Sequence, residues 1–247
     1  MPRLIPFRLV AAFALVLLMS IPTVAAASAK GPVADLRVVG AGGKVLAEDS
    51  FGLTPVSIKA SPKATCFGAG TGGSGKNVAV KSPTALSLLV QASRSTPALS
   101  PLQLTDAFSF GLGLCNVGSS KATKKLSWYL KVNHVNPERG GDSVKVHAGD
   151  EVLWALEPYP YPDELSLVAP TVADAGQPFE AQVFAYTEKG KRKPVAGATV
   201  TGASAPTDSS GRTTVTLEKA QTLFARHGKD IPSNRVDVCV GSYGLAC

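Results

Sequence analysis

Apolar residues recur at every second position through most of this chain, a spacing that places side chains on alternate faces of a strand and not along one stripe of a helix. Val33 to Val39 alternates weakly, Ala41-Gly42-Gly43 makes a turn, and Lys44 to Ala47 returns, so the chain opens on a hairpin. Asp106 to Asn116 carries Phe108, Phe110, Leu112 and Leu114 in alternation and predicts one half-buried strand. The same reading covers Leu126, Trp128, Leu130 and Val132, then Val144 and Val146, and, after a Gly149-Asp150 turn, Val152, Trp154 and Leu156. One segment departs from period two: Ser82-Pro83-Thr84 offers an N-cap and a proline at the first helical position, and Leu86, Leu89 and Val90 follow at i, i+3 and i+4. A sheet with one helix packed on it is expected.

Pro158, Pro160 and Pro162, spaced by Tyr159 and Tyr161, cannot continue a central strand and predict a stiff extended linker over 158–164. Beyond it Phe179, Ala181, Val183 and Ala185 alternate, Ala198 to Gly202 follows a charged turn, and Asp208-Ser209-Ser210-Gly211 joins two strands, the second presenting Thr213, Val215 and Leu217. Arg235 to Val240 is a last strand. Glu218 to His227 reads as helix by propensity or as strand by the need for a neighbour, and both stay open. Short strands with turns every eight to twelve residues suggest a sandwich. The fold class expected is mainly β (α+β).

The N-terminus changes the setting. Arg3 and Arg8 precede an apolar run from Leu9 to Met19, and Val24-Ala25-Ala26-Ala27-Ser28-Ala29 supplies small residues for cleavage, so residues 1–29 read as a signal peptide, with an uncleaved anchor as the alternative. In an exported chain the four cysteines, Cys66, Cys115, Cys239 and Cys247, predict two disulfides. Three connectivities exist; Cys66–Cys115 with Cys239–Cys247 is the simplest.

Composition narrows the classes. With 24 Gly and 18 Pro the chain is no helical bundle, and with 45% hydrophobic residues it is not disordered. No second apolar run could span a bilayer after processing. The formal charge is +7, falling to +5 once Arg3 and Arg8 are removed (23 basic against 18 acidic residues). From Asp163 onward nine basic residues balance nine acidic ones, so the whole excess lies in the first half. Such an excess serves solubility or an anionic polymer. Nucleic acid is not expected, because aromatics are not interleaved with the lysines.

No constellation for catalysis assembles from the sequence. There is no Gly-x-Ser-x-Gly elbow, the three histidines His134, His147 and His227 are scattered, and the cysteines are assigned to disulfides. No metal site or cofactor is expected: Asp208 lacks further oxygen ligands for calcium, and the glycine-rich Gly68–Gly75 stretch lacks the ending of a phosphate loop. Glu157, Asp163 and Glu164 read as solvated charges around the linker. Trp128 and Trp154 fall on the buried face, whereas Tyr129, Tyr159 and Tyr161 are expected to be exposed. The contact set read from the sequence is Tyr129, Lys131, His134, Trp154, Tyr159 and Tyr161.

Cys66-Phe67-Gly68, the helix start Thr84-Ala85-Leu86, the strand Trp128-Tyr129-Leu130-Lys131-Val132-Asn133 and the segment Gly149-Asp150-Glu151-Val152-Leu153-Trp154 resemble the transcobalamin-like C-terminal domain over residues 33 to 157. That family occurs in bacterial surface and secreted proteins and caps animal cobalamin carriers; the resemblance implies a β-grasp-like sheet domain with one packed helix. The carriers' cobalamin contacts match no motif in this chain, and their helical domain is absent. The second half is similar to bacterial immunoglobulin-like modules through Gly176-Gln177-Pro178-Phe179, Val195-Ala196-Gly197-Ala198-Thr199-Val200 and Thr207-Asp208-Ser209-Ser210-Gly211-Arg212. The resulting organisation is a signal peptide (1–29), a β domain (30–157), a Pro/Tyr linker (158–164) and an immunoglobulin-like β-sandwich (165–247).

Two functions follow as expectations. The first is a secreted or cell-surface, non-catalytic binding or adhesion protein contacting a cell-wall polymer, glycan or extracellular protein. The alternative is an extracellular carrier of a small, cobalamin-like molecule in an apolar cleft between the halves, lined by Tyr129, Trp154 and Tyr159.

Overall fold

Alternation produces what it predicts in broad class: the computed structural model, which describes residues 31–241, is mainly β, with a single α-helix among the described residues. The predicted signal peptide and Cys247 lie outside the described residues. No helix among the described residues is long and apolar enough to cross a membrane.

The first half begins with the expected hairpin, β1 (Val33–Gly40) and β2 (Lys44–Gly52), turning through Ala41–Gly43. A second hairpin, β3 (Val56–Lys59) and β4 (Asn77–Val80), leads to helix α1 (Ala85–Ser95). The N-cap is Thr84 and not Ser82: its hydroxyl accepts from the Ser87 amide at 3.2 Å, and the Ser87 hydroxyl accepts from the Thr84 amide at 2.9 Å, a reciprocal pair that satisfies two free helix-end donors. Leu86, Leu89 and Val90 are buried as the spacing predicts, together with Leu88. Each such side chain contributes roughly 1.5–3 kcal/mol.

The strand expected over 106–116 is instead a hairpin. β5 (Leu102–Phe108) and β6 (Gly111–Val117) meet at a turn through Ser109 and Phe110, which leaves Phe110 85% exposed. Gly111, at φ 151°, makes the corner that alternation cannot report. β7 (Ser120–Lys121) extends this sheet, and Cys66–Cys115 pins the glycine-rich loop to β6 as one of the three connectivities required. Cys239 is also disulfide-bonded.

β8 (Ser127–Val132) and β9 (Glu151–Glu157) complete a four-stranded sheet of order β2-β1-β9-β8, in which β1 and β9 run parallel at the centre and the other pairs are antiparallel. Val144 and Val146 belong to no strand; the segment between them makes a single bridge, Thr84 to Lys145. One face of the sheet, with Leu36, Val38, Leu130, Val152 and Trp154, packs under α1.

The second half is built from β10 (Glu164–Val168), β11 (Val172–Ala173), β12 (Pro178–Tyr186), β13 (Arg192–Pro194), β14 (Thr199–Val200), β15 (Arg212–Thr216), β16 (Gln221–Leu223), β17 (Ala225–Arg226) and β18 (Val236–Val240). β12 is central, flanked by β10, β13 and β15, while β18 pairs with β11 and β16. Glu218–His227 therefore contains strands, because β16 has β18 and β17 has β14 to pair with. Ala181, Val183 and Ala185 point into a second apolar core with Leu165, Leu167, Val215 and Leu223.

The described residues, 31–241, form one compact unit. The reason lies on the other face of the first sheet, where Val39, Tyr129, Leu153 and Ala155 pack with Ile231 of the second half. The Pro/Tyr segment thus runs along a packed junction.

Candidate functional site

Five of the six contact residues expected from the sequence, all but Trp154, come together at this junction, in two layers with different roles. Tyr129 and Lys131 project from the face of β8 opposite Leu130, and that face is covered by the second half. They are 2% and 1% exposed, so the expectation that they form open contact residues is corrected. Burial raises the Tyr129 hydroxyl above its usual pKa. Trp154 faces the helix, 4% exposed, with its indole N–H 3.4 Å from the Ala85 carbonyl. Tyr129 and Trp154 therefore lie on opposite faces of one sheet and cannot line an apolar cleft with Tyr159.

A buried ion cluster forms the inner layer. Glu164, the first residue of β10 and 2% exposed, was read as a solvated charge and is the opposite. It pairs with Arg37 from β1, and its Oε2 lies 3.1 Å from Lys131 Nζ and 3.2 Å from His134 Nδ1. Burial alone would raise this carboxyl; the His134 hydrogen bond and the charges of Arg37 and Lys131 overcome that penalty and hold it down at about 2. Lys131 also donates to the carbonyls of Tyr186 and Thr187 at 3.0 and 3.1 Å, and Arg37 donates to the Pro232 carbonyl at 2.7 Å. His134 sits at φ 68° and stacks on Tyr186 with ring centroids 3.7 Å apart. These groups hold the halves together, which leaves Lys131 unavailable to a ligand. A polar cleft of about 440 Å³ lies above the cluster, with Glu48, Asp49, Glu151 and Arg235 among its walls.

The outer layer is a ladder of three tyrosines. Tyr161 stacks on Tyr129 with centroids 4.1 Å apart, its hydroxyl 2.8 Å from Ser127 Oγ, and Tyr159 meets Tyr161 edge-on at 5.6 Å. The flanking prolines fix φ and the stack fixes the rings, so Tyr159 is presented to solvent at 79% exposure on a stiff support. Of the sequence-derived contact residues, Tyr159 is exposed, and Tyr161 and His134 are partly exposed.

Beside this ledge runs a groove of about 360 Å³, walled by Pro158, Pro160 and Pro162 on one side and by the 226–232 loop on the other. Arg226 reaches across it, Nη2 lying 3.5 Å from the Gly43 carbonyl, and Lys229 stands exposed at its rim. The exposed Lys124 and Lys125 lie two to three positions before Ser127, which is bonded to Tyr161. None of these four cations has an ion-pair partner among the described residues. The same holds along the first half: of its 13 basic residues from 31 to 162, Arg37 and Lys131 are buried in the junction, and the other 11 are exposed and unpaired.

Glu157, expected from the sequence as a solvated charge beside the linker, is a further correction. It lies in the groove, half-buried and with no hydrogen-bond or ion-pair partner among the described residues, and burial pushes its pKa up to about 7. The lack of a neighbouring cation in the Leu156–Pro162 stretch was the available signal. Among the described residues no group of three or more His, Cys, Asp or Glu side chains could hold a metal ion. No family model, curated protein or solved structure matches this chain.

Proposed function

We propose that this is an exported, non-catalytic binding protein that holds an anionic glycan or cell-wall polymer on the tyrosine ledge at the junction of its halves. The observation that carries the reading is Tyr159, a large aromatic ring held rigidly in solvent beside a groove that carries Arg226 and Lys229, with the exposed Lys124 and Lys125 close in sequence to Ser127, the partner of Tyr161. A flat ring offers a stacking face for a sugar, and preorganisation removes the cost of immobilising it on binding. Unpaired cations supply attraction to acidic groups along a polymer. The strongest buried charges are engaged in the junction, which supports a binding role over a catalytic one.

The test is sedimentation of the purified protein with cell walls isolated from its source, at low and high salt. Capture that weakens with salt, and a Tyr159→Ala variant that folds normally yet binds roughly two- to tenfold more weakly, are expected. Absence of capture at either salt, or full capture by the variant, sinks this reading.

A further inference from the structure

Glu157 stands in the groove without the partner that a carboxylate at that depth requires. Among the described residues the other carboxyl with a large shift, Glu164, has Arg37, Lys131 and His134 around it. Glu157 has no such partner among the described residues, and burial raises it to about 7, so it carries its proton for about half the time at neutrality and nearly always at pH 5.5. Two glycines, three prolines and the loop from Arg226 to Pro232 line the groove around it, and partial burial is the cause of its upward shift. The charged groups on the far wall are Arg226, Lys229 and Asp230, the last held by His227 at 2.8 Å; across the strand pair Glu157 faces the uncharged Ser127. A protonated carboxyl is both donor and acceptor, the pairing that a sugar hydroxyl offers in return. Arg226 keeps most of its planar fork open, suited to a carboxylate or phosphate oxygen. Prolines present flat apolar walls between the two.

We propose that this groove is a subsite for one acidic sugar unit, in which Glu157 hydrogen-bonds a ring hydroxyl, Arg226 and Lys229 hold the sugar's acid group, and Tyr159 stacks the neighbouring unit. The inference rests on the glycan reading of the ledge and adds its ligand chemistry and a dependence on pH. When Glu157 ionises it loses its donor and repels the acid group beside it, so affinity falls as pH rises through neutrality.

The probe is a galacturonic acid trisaccharide, whose own carboxylates stay ionised throughout, titrated into the purified protein by calorimetry at pH 5.5, 7.0 and 8.5, with the neutral galactose trisaccharide as comparison. The acidic probe is expected to bind three- to tenfold more tightly at pH 5.5 than at pH 8.5 and more tightly than the neutral one, while Glu157→Gln keeps binding and abolishes the pH slope. Arg226→Gln is expected to erase the preference for the acidic probe. No binding of the trisaccharide, equal binding of both probes, or a slope that persists in Glu157→Gln would each overturn the subsite. Wall capture that survives such a result leaves the ledge reading intact; a pH-dependent trisaccharide site without wall capture does the reverse.

Discussion

Replacing Glu164 with Gln keeps the shape of the junction and removes its central charge. In the folded protein this carboxyl is held at about 2 against an ordinary 4.5, its side chain only 3% exposed. At about 1.4 kcal/mol per pH unit the depression corresponds to about 3 kcal/mol of stability, with no discount for solvent screening. The folded value lies below the unfolded one, so this contribution is complete above pH ~5 and is lost as pH falls from 4.5 toward 2. The variant also leaves Arg37 and Lys131 buried without a counter-charge, a loss of about 3–5 kcal/mol when one partner of a buried pair is removed. Urea titrations at pH 7, 5, 4, 3 and 2 measure both effects. Wild type is expected to exceed Glu164→Gln by about 3–5 kcal/mol at pH 7, with the gap narrowing by about 3 kcal/mol toward pH 2. A gap that stays constant with pH, or a variant as stable as wild type at pH 7, refutes the argument.

Two further outcomes can be read by the same unfolding assay. The Cys66–Cys115 bond closes a loop of about fifty residues, so the Cys66→Ser/Cys115→Ser double variant is expected to lose about 4 kcal/mol; a loss under about 1 kcal/mol contradicts the chain-entropy account. Gly118 lies at φ 57°, and a Cβ there would come within 2.1 Å of the Ala98 carbonyl oxygen, so Gly118→Ala is expected to be destabilising by at least 1 kcal/mol and unchanged stability would show that the turn yields freely.

Period two told which residues share a face, and it placed Leu130 and Trp154 correctly beneath the helix. It could not tell what lies on the other face. Alternation puts Tyr129 and Lys131 in solvent only if one face of the sheet is covered, yet β9 reads Val152-Leu153-Trp154-Ala155-Leu156, an unbroken apolar run of the kind that sheets covered on both faces carry. That run was the signal for the junction. Glu164 was illegible for a different reason: nothing local distinguishes a solvated Glu beside prolines from one whose partners, Arg37 and Lys131, lie 127 and 33 positions away. Tyr159 was legible, since prolines on both sides already forbid a strand. The turn at Ser109-Phe110 was not, because alternation continues across it and only Gly111 hints at a corner.

The parallel pairing of β1 with β9 joins Asp35 to Glu151, so the centre of the first sheet is made from segments separated by more than a hundred residues. Closing a loop of that length comes early in entropy and late in reward, which places this protein among slow folders with high contact order. During synthesis, a chain that has emerged only as far as residue 150 holds the β1–β2 hairpin but not the strand that completes the sheet. Arg37 waits longer still, since its hydrogen-bond acceptor Pro232 lies 195 positions downstream. The same connections that make the two halves one body keep the chain open until almost all of it is present.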